Sequence, residues 1–185
     1  MSDSDIKGTA ILARLSYLDA QPSGRAPVMA RLTAADRQVI DSVVASGKYP
    51  LALKARLDNE IAAVLRPNDP IGMFYELGRW SAKHNFELFH SSFIKARDPQ
   101  GFMANAPAMR RMYYADDQAR YERTGDNSCA LIVAGATAVE APDCYGTAGY
   151  WEYALGLAGA KNARVEHARC IARGDGVCEF RCRWD

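Results

Sequence analysis

Apolar residues recur at three- and four-residue intervals through the first half of the chain and at two-residue intervals near its end. In "IKGTAILARLSYLDA" the apolar positions 11, 12, 15 and 18 share a face, which predicts a helix over 6–20 that "QPSGRAP" ends. Thr33 stands where an N-cap belongs, before apolar residues at 39, 40, 43 and 44 and a stop at Gly47. Pro50 can open a third helix with the stripe Leu53, Leu57, Ile61, Val64 and Leu65. Its other face carries Lys54, Arg56, Asp58 and Glu60, so it reads as half exposed. The longest helix is expected over 71–96, with Asp69 and Pro70 as cap and first-turn pair. Phe74, Leu77, Ser81, His84 and Leu88 form one of its faces, and Tyr75, Phe86, Phe89 and Phe93 another. A helix apolar on two faces is packed on more than one side.

"DPQGFMANAPAMRRMYY" suggests a loop and a short helix, after which the period changes. Segments 119–124 and 129–134 read as strands around the hairpin signal "GDNS". "CYGTAGYWEYALGLAGAKN" returns to helix with Gly159 as its stop, and strands over 163–171 and 177–183 are joined by "ARGDG". Helices first and strands later predict an α+β fold, its N-terminal helices packed on a twisted, mainly antiparallel sheet with a terminal hairpin. A chain of 185 residues fits one domain, with 1–70 as a helical lead-in and 71–185 as the core.

Composition narrows the function. Twenty-three Lys and Arg against 22 Asp and Glu leave a net charge of +1 with no basic block, which argues against nucleic acid as a partner. The N-terminus lacks a charged region followed by an apolar run, and no membrane-length apolar segment occurs, so a cytoplasmic protein is expected. Thiols stay reduced there, which turns the five cysteines toward metal binding or core filling and away from disulfides. Gly-x-Ser-x-Gly, His-Glu-x-x-His, phosphate-loop and dinucleotide motifs are absent, so the sequence gives catalysis little support.

Three of those cysteines fall in "EHARCIARGDGVCEFRCRW". Strand alternation puts Cys178, Phe180, Cys182 and Trp184 on one face, which makes Cys182 a small core residue. Cys170 and Cys178 flank one tight turn, and Cys144, in "APDCYG", can fold back over it as a third ligand. For a fourth, Glu166 and His167 compete: parity favours Glu166, and the softer imidazole of His167 suits zinc. Such a set would be a closed, structural zinc site. The alternative is that reduced cysteines line a core and bind nothing.

The stretch "GYWEYALGLAGAKNARVEHARCIARGDGVCEFRCRW" resembles the C-terminal half of the vinyl-4-reductase domain, a small-molecule-binding family. Similar domains form the effector-binding part of phenol- and xylene-sensing transcription activators. With "YPL" at 49–51, "ELGRWSAKHN" and "DPQGF", the whole chain is similar to stand-alone bacterial members of the family. The phenol sensors bind zinc through a cysteine at the start of the last helix, an acidic residue, and two cysteines around the terminal hairpin. Cys144, Cys170 and Cys178 match in spacing, and the acidic position falls on His167 beside Glu166, a departure from the pattern.

The resemblance implies a fold shared with transport-particle subunits and haem-based nitric oxide sensors, enclosing an apolar pocket. On the long helix, Phe74, Trp80, His84, Phe89 and His90 could line it, with Met103, Met109, Met112, Tyr113 and Tyr114 from the following segment. The competing reading makes each of them ordinary core. Trp80 and His84, one turn apart, are the expected polar end, with Phe74 and Tyr113 beside them. The implied function is a cytosolic sensor or carrier for a small apolar or aromatic molecule, acting as a homodimer or through a signalling partner protein. The cofactor expected is structural zinc; haem is set aside because no Tyr-x-Ser-x-Arg clamp occurs. The alternatives are an enzyme or accessory factor for a tetrapyrrole-like substrate, and a protein-interaction subunit without a ligand.

Overall fold

The structure is a computed structural model that describes residues 5–90, 94, 98–114, 118–135 and 140–185, excepting the side chains of residues 89, 90 and 141. Its opening differs from expectation. Ile6 lies in a short strand, β1 (Asp5–Lys7), paired antiparallel with β2 (Lys48–Pro50) through Ile6 and Tyr49. Helix α1 then runs Gly8–Asp19, followed by α2 (Ala26–Met29) and α3 (Ala34–Asp41). Thr33 caps α3 by accepting from the Asp36 N–H, but the helix ends well before Gly47. Pro50 closes β2 and precedes α4 (Leu51–Leu65).

Asp69 caps α5 (Pro70–Asn85) by accepting from the Gly72 N–H. The helix widens into a π-helical turn over Phe86–His90, so a uniform α-helix over 71–96 is not what forms. Residues 91–93 and 95–96 of that expected helix lie outside the described residues. Helices α6 (Pro99–Ala104) and α7 (Ala106–Arg111) follow. Strands β3 (Gln118–Gly125) and β4 (Ser128–Ala134) form the expected hairpin, then come α8 (Ala141–Leu157), β5 (Arg164–Arg169) and β6 (Cys178–Arg183). The main sheet is antiparallel in the order β3-β4-β6-β5.

One core lies between this sheet and α8, with Leu131, Phe180, Cys182, Trp151, Ala154 and Phe102 buried together. A second, all-helical core joins α1, α4 and α5 through Ile11, Leu18, Leu57, Ile61 and Leu77. Burial of each such aliphatic or aromatic side chain contributes roughly 1.5–3 kcal/mol. Helix α5 binds the two halves because it meets α8 almost backbone to backbone. A Cβ on Gly78 would stand 1.9 Å from the Gly146 carbonyl oxygen, and one on Gly149 would stand 2.0 Å from that of Tyr75. Only glycine permits that approach.

Candidate functional site

Strands β5 and β6 and the first turn of α8 bring four side chains together. Cys144, His167, Cys170 and Cys178 place their ligand atoms within 4.8 Å of one another. The Cys144 Sγ lies 3.5 Å from the Cys170 Sγ and 4.0 Å from that of Cys178. A tetrahedral ion with metal–sulfur bonds of about 2.3 Å would need edges of about 3.8 Å, so the spacing suits one ion. The three cysteines are buried and His167 is half-buried. His167 stacks on Phe180 at 4.7 Å between centroids and meets Tyr145 edge-on, and neither of its ring nitrogens has a hydrogen-bond partner. Packing therefore fixes the ring while leaving its lone pair free for a cation.

Glu166 stays outside this set. It is exposed and pairs in register with Arg181 on the sheet's outer face. The parity that favoured it fails because β5 carries a bulge: His167 pairs with Phe180, but Arg169 pairs with Glu179. The extra residue, Ala168, turns the strand so that His167 and Cys170 reach the same face. Cys182 is fully buried in the core, opposite Cys129.

Electrostatics within the cluster are uneven. The Cys178 thiol is pulled down to about 4, first by its hydrogen bond with Cys144, against burial, and then by His167 and the Ile171 N–H. The hydrogen bond with Cys178 and then burial push Cys144 far up. The Ile171 N–H points at the Cys178 Sγ at 3.4 Å, and the Cys170 N–H donates to Asp175 at 2.7 Å. Gly174, at φ 95°, lets the turn close in this shape.

A second feature is a cavity of about 70 Å³ where α1, α4, α5, α7 and α8 converge. Ile6, Ala10, Met109 and Trp151 give it apolar walls, while Asn85, Tyr113, Tyr114 and Tyr150 bring polar tips. One end is a buried charge network. Arg14 donates to both Asp58 oxygens, at 2.8 and 3.2 Å, and to the Ser81 hydroxyl. Lys54 donates to Asp58 at 3.0 Å and to Asp143 at 3.2 Å, and the Tyr114 hydroxyl donates to Asp143 at 3.0 Å. Burial pushes the Asp58 carboxyl up, but the Arg14 and Lys54 charges and their hydrogen bonds together outweigh it and hold it below the usual range. Burial and then the Asp143 charge push Tyr114 well above the ordinary phenol value, so it stays a neutral donor.

The face of α4 read as half exposed is thus divided: Lys54 and Asp58 are buried. The available signal was their i,i+4 spacing together with Arg14 inside an apolar helix face. Asp143 joins the network from the first turn of α8. Of the residues expected to line a pocket, Met109, Tyr113 and Tyr114 do so. Phe74 and Trp80 pack in the helical core, Trp80 edge-on to Tyr17 at 5.4 Å with Lys83 over its ring. His84 is half-buried in the last turn of α5 and is not among the described lining residues. The side chains of Phe89 and His90 lie outside the described residues.

No family model and no curated protein matches the sequence. Solved structures do match. An H-NOX protein from S. oneidensis in the Fe(II)NO ligation state superposes with a TM-score of 0.76 at 13% identity, over 97% of this chain and 99% of that one. The Fe(II) unliganded H-NOX protein from K. algicida gives 0.72 at 11% identity, over 97% of each chain. The fold is that of the H-NOX domains. Helices on an antiparallel sheet, in an arrangement like the haem nitric oxide sensors, are therefore borne out.

The cofactor expectation is corrected here. On sequence grounds structural zinc is expected from the cysteine spacing, and haem is set aside because the Tyr-x-Ser-x-Arg clamp is missing. Yet a further match, with a TM-score of 0.69 and 13% identity over 97% and 100% of the two chains, is a protein whose haem redox potential is modulated through porphyrin distortion. The fold is thus shared with a haem protein, and the missing side-chain motif is no ground for setting haem aside. No helix among the described residues is long and apolar enough to cross a membrane.

Proposed function

We propose that this chain is a sensor domain that takes a small molecule into the cavity and couples it to a metal ion held by Cys144, His167, Cys170 and Cys178. One observation carries the reading. Two adjacent residues in the first turn of α8 face the two features: Asp143 accepts from Lys54 and Tyr114 at the cavity, and Cys144 stands in the thiol cluster. A guest that shifts the charge network would move the same helical turn that fixes a metal ligand. Three thiolates and an imidazole suit a soft or borderline divalent ion and form a closed set, which favours a structural or signalling role over a catalytic one. The resemblance to effector-binding domains of the vinyl-4-reductase family points the same way, with the output passing to a second copy or a partner protein.

The coupling is tested by the rate at which a chromogenic chelator strips the metal. Lys54→Met and Tyr114→Phe, which loosen Asp143 without touching a ligand, should change that rate several-fold in folded protein. Identical rates in all three proteins would overturn the coupling.

The fold likeness favours a second reading, in which the cavity holds a haem as in the matched proteins. A haem needs an axial donor, usually His, Cys, Met or Tyr. Met109, Tyr113, Tyr114 and Tyr150 are available, while the described lining contains no imidazole or thiol and encloses only about 70 Å³. The fit is therefore incomplete: the walls would have to part. Adding haemin to the purified protein and recording the Soret band decides it, a sharp stoichiometric band supporting this reading and free-haemin absorption rejecting it.

A further inference from the structure

The cavity contains a polar demand that the described protein groups leave unmet. Asn85 is 2% exposed and lines the cavity, yet its Oδ1 accepts no hydrogen bond. The Tyr150 hydroxyl, close to Asn85, is a second buried polar atom without a partner in hydrogen-bond geometry. Buried acceptors are rarely left unmade, because an unmade bond costs more than a made one contributes. An acceptor kept in this state suits a partner that arrives from outside.

The same cavity has donors in reserve. Lys54 has three ammonium protons and directs its two hydrogen bonds to Asp58 and Asp143. Arg14 has five N–H groups and makes three bonds, to Asp58 and Ser81. Ser81 precedes Asn85 by one helical turn, so the cationic end and the orphan acceptor lie about 6 Å apart along α5. The two cations with donors in reserve are each matched by a carboxylate, Arg14 by Asp58 and Lys54 by Asp58 and Asp143, while Arg110 lies over the Tyr114 ring. A charged guest would break that balance inside a desolvated site. Size sets the last limit, since about 70 Å³ is roughly half of the ~150 Å³ that accepts benzene in an apolar cavity.

We propose that the cavity selects a compact neutral molecule of the primary-amide or urea type. Its N–H meets Asn85 Oδ1, and its carbonyl oxygen accepts from Lys54 or Arg14. Its short apolar part lies against Met109 and Trp151. This rests on the reading that the cavity takes a small molecule, and it replaces the apolar or aromatic ligand expected from the sequence with a polar one.

The test uses the full chain and four probes, followed by the indole N–H signal of Trp151 in NMR titrations: propionamide, N,N-dimethylpropionamide, propionate and toluene. Propionamide should bind about 3- to 10-fold more tightly than its dimethyl analogue, which lacks the donor. Asn85→Leu should erase that preference and leave the melting temperature of the unliganded protein unchanged or higher, because it removes an orphan acceptor. If that variant does not fold, Tyr150→Phe should weaken propionamide and leave toluene unaffected. Equal binding of the two amides, or tighter binding of propionate or toluene, would overturn the proposal while leaving a ligand cavity in place. No binding by any probe would overturn both.

Discussion

Adding one methyl group at Gly78 should force α5 and α8 apart. Its Cβ would lie 1.9 Å from the Gly146 carbonyl oxygen and 2.7 Å from the carbonyl carbon, both backbone atoms that no rotamer change can move. Restoring an ordinary contact of about 3.2 Å requires the helices to separate by more than ~1 Å, a gap that forfeits a quarter to a half of the dispersion well for each pair across it. Overpacking of this kind costs about 1–3 kcal/mol, and the helix propensity of alanine returns at most ~1 kcal/mol. The control is Gly156→Ala on α8, where a Cβ would meet nothing within 4 Å. Urea denaturation should show Gly78→Ala destabilised by roughly 1–2 kcal/mol, since a clash with backbone atoms sits toward the upper end of that cost and is offset by the propensity gain, and Gly156→Ala stabilised by up to ~1 kcal/mol. Gly78 also lines the cavity, so probe binding should weaken in Gly78→Ala alone. A Gly78→Ala protein as stable as the parent would refute the close approach of the helices.

Asp58→Asn should cost about 3–5 kcal/mol in denaturant unfolding, because Arg14 and Lys54 are left buried without their counter-charge; a loss below ~1 kcal/mol would show the network to be hydrated. The depressed Asp58 carboxyl contributes stability that is present above the unfolded pKa of about 3.9 and is lost as pH falls through the lower folded value. Melting curves should therefore show this component down to about pH 4 and its loss below, and Asp58→Asn should lack it. His167→Ala and Cys170→Ser should lose the bound metal in elemental analysis, whereas Glu166→Ala and Cys182→Ala retain it; metal lost equally from Glu166→Ala would place the fourth ligand wrongly. Chelation of the parent protein should lower its melting temperature, as removal of a closed site does.

The terminal hairpin was legible in the sequence because alternation and a tight turn fix which side chains share a face. Its decisive detail was not. The bulge at Ala168 inverts the parity that chose Glu166 over His167, and a one-residue insertion leaves no periodic trace. Cap signals at Thr33 and Asp69 marked helix starts correctly because each side chain satisfies an N–H within the same turn. Helix ends were harder: apolar spacing continues through 43 and 44 and beyond 86, but α3 stops at Asp41 and α5 relaxes into a π-helical turn. The cavity was the least legible part. Arg14, Lys54, Asp58 and Asp143 come from three helices far apart in sequence, and a charged residue becomes interior only through partners that the fold supplies. Trp80 and His84 share a helix face with core residues, and one helix cannot reveal which of its faces borders a void.

The most direct test is a crystal structure recorded at the absorption edge of the bound metal. The account predicts an anomalous peak about 2.0–2.3 Å from His167 and the sulfurs of Cys144, Cys170 and Cys178. In the same crystal, grown with propionamide, it predicts density for the amide within hydrogen-bond reach of Asn85 Oδ1. Four unligated side chains, with the cavity closed by the protein's own groups, would contradict both halves of the account at once.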